Sequence, residues 1–144
     1  MGLATGAVQE AFISRYRADT PLQGLIAGSA APTWNIFDQG AVPVGQTFPY
    51  VEVFPITTQI GTALSMGQDA NDVFMQMSVY TRYGGMKQAR DIAKQIYDLT
   101  HQYKFSLSDG FGNALTLFEN EQELELQDRI TQQITHRYKL MVSG

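Results

Sequence analysis

The spacing of hydrophobic positions changes several times along the chain, and each change marks an element. From Ala4 to Tyr16, residues Ala4, Val8, Ala11, Phe12 and Tyr16 recur at helical spacing with Glu10 and Arg15 off that face, which predicts an amphipathic helix. It is expected to end before Thr20-Pro21, because proline disfavours the α conformation at the residue before it. Leu22 to Ile26 offers one further turn, and Gly28-Ser29-Ala30-Ala31-Pro32 reads as a loop. Thr33 to Asp38 is a short strand candidate with Trp34 and Ile36 on one face. Phe48 to Ile56 alternates Val51 and Val53 against Tyr50, Glu52 and Phe54. Pro49 and Pro55 lack ladder donors, so this strand is expected to be short or at an edge.

From Thr57 to Asn71 the chain is rich in Thr, Gly, Ser, Gln and Asp and keeps no sustained period, which predicts a long loop. Hairpin loops in compact domains usually hold about 2–5 residues, and longer ones tend to carry function. Asp72 to Thr81 is the clearest strand, with Val73, Met75, Met77 and Val79 on one face and Phe74, Gln76, Ser78 and Tyr80 on the other. Gly84-Gly85 then turns the chain into a helix from Met86 to Tyr103. Its stripe is Ala89, Ile92, Ala93, Ile96, Leu99 and Tyr103, with Lys87, Arg90, Asp91, Lys94, Gln95 and Asp98 on the solvated side. Phe105 and Leu107 alternate up to the turn dipeptide Asp109-Gly110. Ala114 to Gln127 and Arg129 to Val142 form a closing hairpin joined near Asp128. The last strand sets Ile130, Ile134, Tyr138, Leu140 and Val142 against Arg129, Thr131, Gln133, Thr135, Arg137 and Lys139.

Helix, strands, helix, strands, mostly joined by hairpins, define an α+β class: an antiparallel sheet with two helices packed on one face, in one domain over residues 1–144. The hydrophobic fraction of 44% against 17% charged residues excludes a disordered chain. The low charge fraction is what a surface partly covered by neighbours would show. No cysteine is present, which removes disulfides, thiol catalysis and cysteine-held metals. No apolar run approaches the ~20 residues of a membrane span. A net charge of −4 disfavours a DNA-backbone binder, which would show a basic face.

Candidate chemistry is sparse. His101 and His136 fall on different elements and belong to no ligand-spaced cluster; His101 reads as a charge partner for a helix C-terminus and His136 as a packed or interface histidine. No serine sits in a nucleophile elbow, and no glycine run matches a phosphate-binding loop. Asp69, Asn71 and Asp72 lack the spacing of a calcium loop. No catalytic residue, metal or cofactor is therefore assigned.

Four strings share an order and spacing with a known family: Phe48-Pro49-Tyr50-Val51; Val79 through Gly85; the alanine-rich stripe from Ala89 to Leu99; and Asp128-Arg129-Ile130 through His136 to Leu140. On these the chain resembles the tail-completion, or tail terminator, proteins of long-tailed bacteriophages. The resemblance implies a non-enzymatic virion subunit, assembled in the host cytoplasm. Such a subunit forms a ring, commonly a hexamer, that caps the tail tube and joins it to the head connector while DNA passes through the lumen without specific binding. Two alternatives stay open: a head-completion or stopper protein of the neck, and a soluble ligand-binding α+β domain.

The assembly surface is expected at two places. One is the loop Thr57–Asn71, with Thr57, Gln59, Ile60, Leu64, Met66, Gln68 and Asp69 as contacts, together with Trp34, which is either a core anchor or a subunit contact. The other is the run Glu119, Glu121, Glu123 and Glu125, whose period of two puts them on one face of a strand. Adjacent carboxylates repel, so partners are expected, either Arg129, Arg137 or Lys139 across the hairpin or basic residues of a neighbouring subunit.

Overall fold

A computed structural model describes residues 4–26, 35–38, 42, 48–60, 71–82, 86–108, 110–128 and 130–143. Three helices and five strands follow one another as α1 (Thr5–Ala18), α2 (Thr20–Leu25), β1 (Ile36–Asp38), β2 (Tyr50–Ile60), β3 (Asn71–Thr81), α3 (Lys87–Thr100), β4 (Gly112–Glu125) and β5 (Gln132–Ser143). The class is α+β, as the pattern predicts. The strands form one sheet in the order β1-β2-β3-β5-β4. It is mixed, because β1 runs parallel to β2 while all the other pairs are antiparallel.

The third helix arises at the expected break. Asp19 ends α1 in an extended conformation and caps α2, its carboxylate accepting the Leu22 N–H at 2.9 Å. Pro21 then sits in the first turn of α2, where its missing N–H costs no helical bond. α1 thus ends before Thr20-Pro21 as expected, and the further turn expected after it is the short helix α2. The same Asp19 carboxylate accepts from Gln95 Nε2 at 3.0 Å, which fastens the corner to α3.

β2 runs through Pro55 to Ile60, four residues further than its composition suggests. β1 pairs only with Val51 to Val53, so beyond that point β2 is an edge strand and Pro55 removes no ladder bond on its free side. A bulge between Pro55 and Thr57 restores the register with β3. Thr57 to Ile60 and Asn71, expected in the long loop, are therefore strand residues, Thr57 to Ile60 pairing with Phe74 to Asn71, and residues 61–70 lie outside the described residues. Leu64, Met66, Gln68 and Asp69 lie outside the described residues, as do Trp34, Gly84, Gly85, Asp109 and Arg129. At the turn after Ser108, Gly110 takes a φ of 80°, a value that excludes most other side chains.

The core is one layer between helices and sheet. Val73, Met75, Met77 and Val79 of β3 are fully buried, flanked in register by Val51 and Val53 of β2 and by Ile134, Tyr138 and Leu140 of β5. Phe12 and Tyr16 of α1 and Ile92 and Ile96 of α3 close it from above. Phe12 is the hub: its ring stacks on Phe105 at 4.5 Å and meets Tyr16 and Tyr138 edge-on. Replacing Phe12 by Ala is expected to lower the unfolding free energy by about 3–5 kcal/mol. Replacing Ile56, which is 42% exposed, should change it by less than about 0.5 kcal/mol. Urea titrations of the two variants check both values, and equal effects would remove the hub role.

Candidate assembly surfaces

The final hairpin decides where the glutamates point. β4 carries a bulge between Phe118 and Asn120, one extra residue against β5. Because the side-chain period is two, that insertion reverses the facing of everything beyond it. Glu119 lies on the face away from the helices, where its Oε1 is 3.0 Å from Arg137 Nε. The Arg137 guanidinium in turn lies over the Phe74 ring at 4.8 Å, on that same face. Glu121 and Glu123 turn the other way, toward α3. The run expected on one face is thus split, and the cause is the bulge.

On the helix side, Arg90 makes a two-pronged contact with Glu123, Nε to Oε2 at 2.6 Å and Nη2 to Oε1 at 2.8 Å. The hydrogen bond from Arg90 holds the Glu123 carboxyl below the usual range. The next pair inward is Glu121 and His136. His136 is 2% exposed and sits on the apolar side of β5 as the pattern predicts. Its Nε2 lies 2.6 Å from Glu121 Oε2 and its Nδ1 2.9 Å from the Tyr138 hydroxyl. An ionised carboxylate only accepts, so Nε2–H donates to Glu121 and Nδ1 accepts the Tyr138 proton. Burial pushes the imidazole pKa down, opposed by the hydrogen bond and charge of Glu121, and the net direction is downward. Glu125 is exposed at the end of the strand.

The turn beyond is held by Asp128. Its carboxylate accepts from Ile130 N–H at 2.9 Å, Thr131 N–H at 2.8 Å and Thr131 Oγ1 at 2.7 Å. These bonds, the two from Thr131 foremost, hold its pKa at about 2. Leu124 and Ile130 stay 45% and 58% exposed beside this turn. Between α3 and β4 runs a groove of about 560 Å³ whose lining includes Tyr97, Phe118, Glu121 and His136. Arg90 and Phe118 were legible only as a solvated cation and a strand aromatic; the approach of α3 to β4 brings them to the glutamates.

The other expected surface lies at the opposite end of the sheet. Thr57 and Gln59 are exposed and pair with Phe74 and Asp72, which puts them on the face away from the helices. Thr58 points to the helix side and hydrogen-bonds Thr5 at 2.6 Å. Asp72 is buried there and lies 3.6 Å from Lys139 Nζ. Nine residue steps of β3 separate the row of Asp72 from the row of Thr81, which leads to Glu125. At strand rise that is about 30 Å, so the structure keeps the two surfaces apart.

The remaining histidine departs from its expected role. The His101 Nδ1 accepts the Phe118 N–H at 3.0 Å and the ring stacks on Tyr97 at 4.9 Å. A nitrogen that accepts carries no proton, so this ring ties β4 to α3 and is not a cation at the helix end. Among the described residues no group of His, Asp and Glu could hold a metal ion, and no helix is long and apolar enough to cross a membrane.

The described residues thus give a mixed five-stranded sheet with helices on one face, an α+β architecture with polar surfaces at its two opposite ends. Residues 10–143 match the family model described as tail completion protein gp17, and the chain belongs to that family of structural bacteriophage tail proteins. Its fold is similar to that of a chain from the virion of a native gene transfer agent particle, with a TM-score of 0.81 at 22% identity over 96% of each chain. A second solved chain aligns with a TM-score of 0.52 at 17% identity, over 94% of this chain and 91% of that one. A comparison with curated proteins returns no match.

Because the folded pKa of His136 lies below its ordinary 6.5, the unfolded chain binds more protons as the pH falls through that value. Stability is then expected to be full above pH 6.5 and to fall on acidification below it. His136→Gln should flatten that slope. Thermal unfolding of both proteins across this range checks it, and identical slopes would remove His136 as the source.

Proposed function

We propose that this chain forms a ring, six copies in the commonest arrangement of such proteins, that caps the finished tail tube and joins it to the head connector. The observation that carries the reading is the placement of two polar, exposed regions at opposite ends of one sheet, about 30 Å apart along its central strand. A subunit between two different partners needs two such ends and a stiff body to keep them in register. Hydrogen-bonded strands spanning the whole distance supply that stiffness.

In this reading the end of β2 and the start of β3, with segment 61–70 between them, face the tube or the lumen. The far hairpin, with Glu119 to Glu125, meets neighbouring subunits or the connector. The acidic balance of the chain, with a net charge of −4, repeated around a ring would discourage DNA from adhering as it passes. The membership in a tail-completion family and the virion likeness of the fold support the assignment to a phage tail.

Replacing residues 61–70 by a two-residue turn should leave the fold and its thermal midpoint nearly unchanged, because loop closure contributes only weakly to stability. Tails assembled with this variant should then lengthen without limit and fail to join heads. Electron micrographs of the tails provide the measurement. Normal tail length and normal joining would sink the assignment of this end, and mass photometry showing only monomers, alone and with tubes, would sink the ring.

A further inference from the structure

β4 is the last strand of the sheet, and only the first part of its outer side is covered. There the segment after α3 lies alongside: the Gln102 N–H donates to Thr116 O at 2.7 Å, the Phe118 N–H to His101 Nδ1 at 3.0 Å, and Ser106 bridges Gly112. These bonds mark Thr116 and Phe118 as residues whose backbone groups turn away from β5. Past the bulge, alternation turns outward the N–H and C=O groups of Glu121, Glu123 and Glu125. Among the described residues, no backbone bond from another segment reaches them. Every residue from Glu119 to Glu125 is exposed. An uncovered strand edge of this length is a template for pairing with another chain.

Charge narrows the occupant. Glu119 is answered by Arg137 and Glu123 by Arg90. Glu121 hydrogen-bonds a buried imidazole whose pKa burial lowers, and the nearby Arg90 guanidinium is already bound two-pronged by Glu123, so Glu121 has no cation to itself. Glu125 has no cation beside it among the described residues. These two carboxylates share the helix-side face of β4 four positions apart, about 13 Å at strand rise. Among the described residues, Lys104 is the one cation without a partner in its own chain. A second copy therefore offers no extended segment with two free cations at that spacing. The groove beside the edge, floored by the Tyr97 and Phe118 rings, provides room for one long side chain.

We propose that the free edge of β4 from Glu121 to Glu125 takes an extended segment of another protein by strand addition. That segment carries Lys or Arg at two positions four apart. One cationic side chain lies in the groove, its stem on Tyr97 and Phe118 and its head at Glu121, and the other meets Glu125. Backbone bonds to the three outward residues supply the attachment, and the two charges set register and selectivity. The proposal goes beyond the capping role and does not depend on ring closure.

The probe is an acetylated and amidated octapeptide, Thr-Val-Lys-Thr-Val-Thr-Lys-Val, added to the full chain and followed by amide NMR. Expected are saturable shifts and slowed hydrogen exchange at the amides of Glu121, Glu123 and Glu125. The double variant E121K/E125K should weaken binding about tenfold, and a peptide with Glu in place of both Lys should bind that variant better than the original chain. Should the double variant fail to fold, Glu125→Lys alone, at an exposed position, should weaken binding about threefold. Absence of slowed exchange at those amides, or equal binding of the Lys and Glu peptides, overturns the proposal. So does concentration-dependent protection of the same amides without peptide, which would make a second copy the occupant. Mass photometry of the peptide-free sample reads the ring separately.

Discussion

The row Val73, Met75, Met77 and Val79 on β3 is the surface on which the rest of the molecule is assembled. It is fully buried, lies mid-sheet between β2 and β5, and receives side chains from both α1 and α3. Any slip of β3 by one residue would bring Phe74, Gln76 and Ser78 under the helices and lose the whole row at once. Register is therefore enforced by burial of apolar area, and the polar pairs on the far face, such as Ser78 with Thr135 at 3.2 Å, can form only in that register. Two methionines in the row suit a layer that must meet two helices at different angles, since an unbranched chain fits irregular gaps.

Above that row the buried hydroxyls of Tyr16, Thr100 and Tyr138 and the His136 ring all have hydrogen-bond partners. The Tyr16 hydroxyl donates to Thr100 Oγ1 at 2.6 Å, Thr100 Oγ1 donates its own proton to Ile96 O at 2.7 Å, and His136 joins Tyr138 to Glu121. Burial raises both tyrosines well above their ordinary range, so their hydroxyls stay neutral and act as fixed links. This buried network runs from α1 through α3 and β5 to the outer strand. It couples the core to the rim that carries Glu121, which is why a side chain at the surface of β4 has a fixed position although its strand is at the edge.

A single inserted residue at Phe118/Asn120 sets the character of that rim. Without it, alternating glutamates would form one acidic stripe whose members repel. With it, one carboxylate is sent to Arg137 and three to the helix side, where Arg90 meets one of them. The charge left over is small and lies where the strand edge is open. For a subunit of a tail-completion family, an edge guarded by charge and open to one kind of partner fits assembly in order better than an apolar edge, which would pair with any exposed strand.

Much of the fold was legible from period alone. The helices Thr5–Ala18 and Lys87–Thr100 and the strand Asn71–Thr81 follow their apolar spacing closely, because each buries one complete face against a single layer. The end of α1 before Thr20-Pro21 and the further turn after it were legible too, and the structure adds that Asp19 caps that turn and Pro21 sits inside it. Pro55 was read as marking a strand that is short or at an edge; the edge holds, and the strand runs on to Ile60 because whether a proline stops a strand depends on whether a neighbour needs its N–H, a property of the sheet. The glutamate run was visible in the sequence as a period-two pattern, but its division between two faces was not. A bulge is set by the pairing of two strands and by the helix packed over them, and no residue in β4 announces it. The sequence by itself determined which positions are apolar, which are charged and at what period. The tertiary structure decided which face each charge occupies and which partner it meets, because those depend on register and on contacts between elements far apart in the chain.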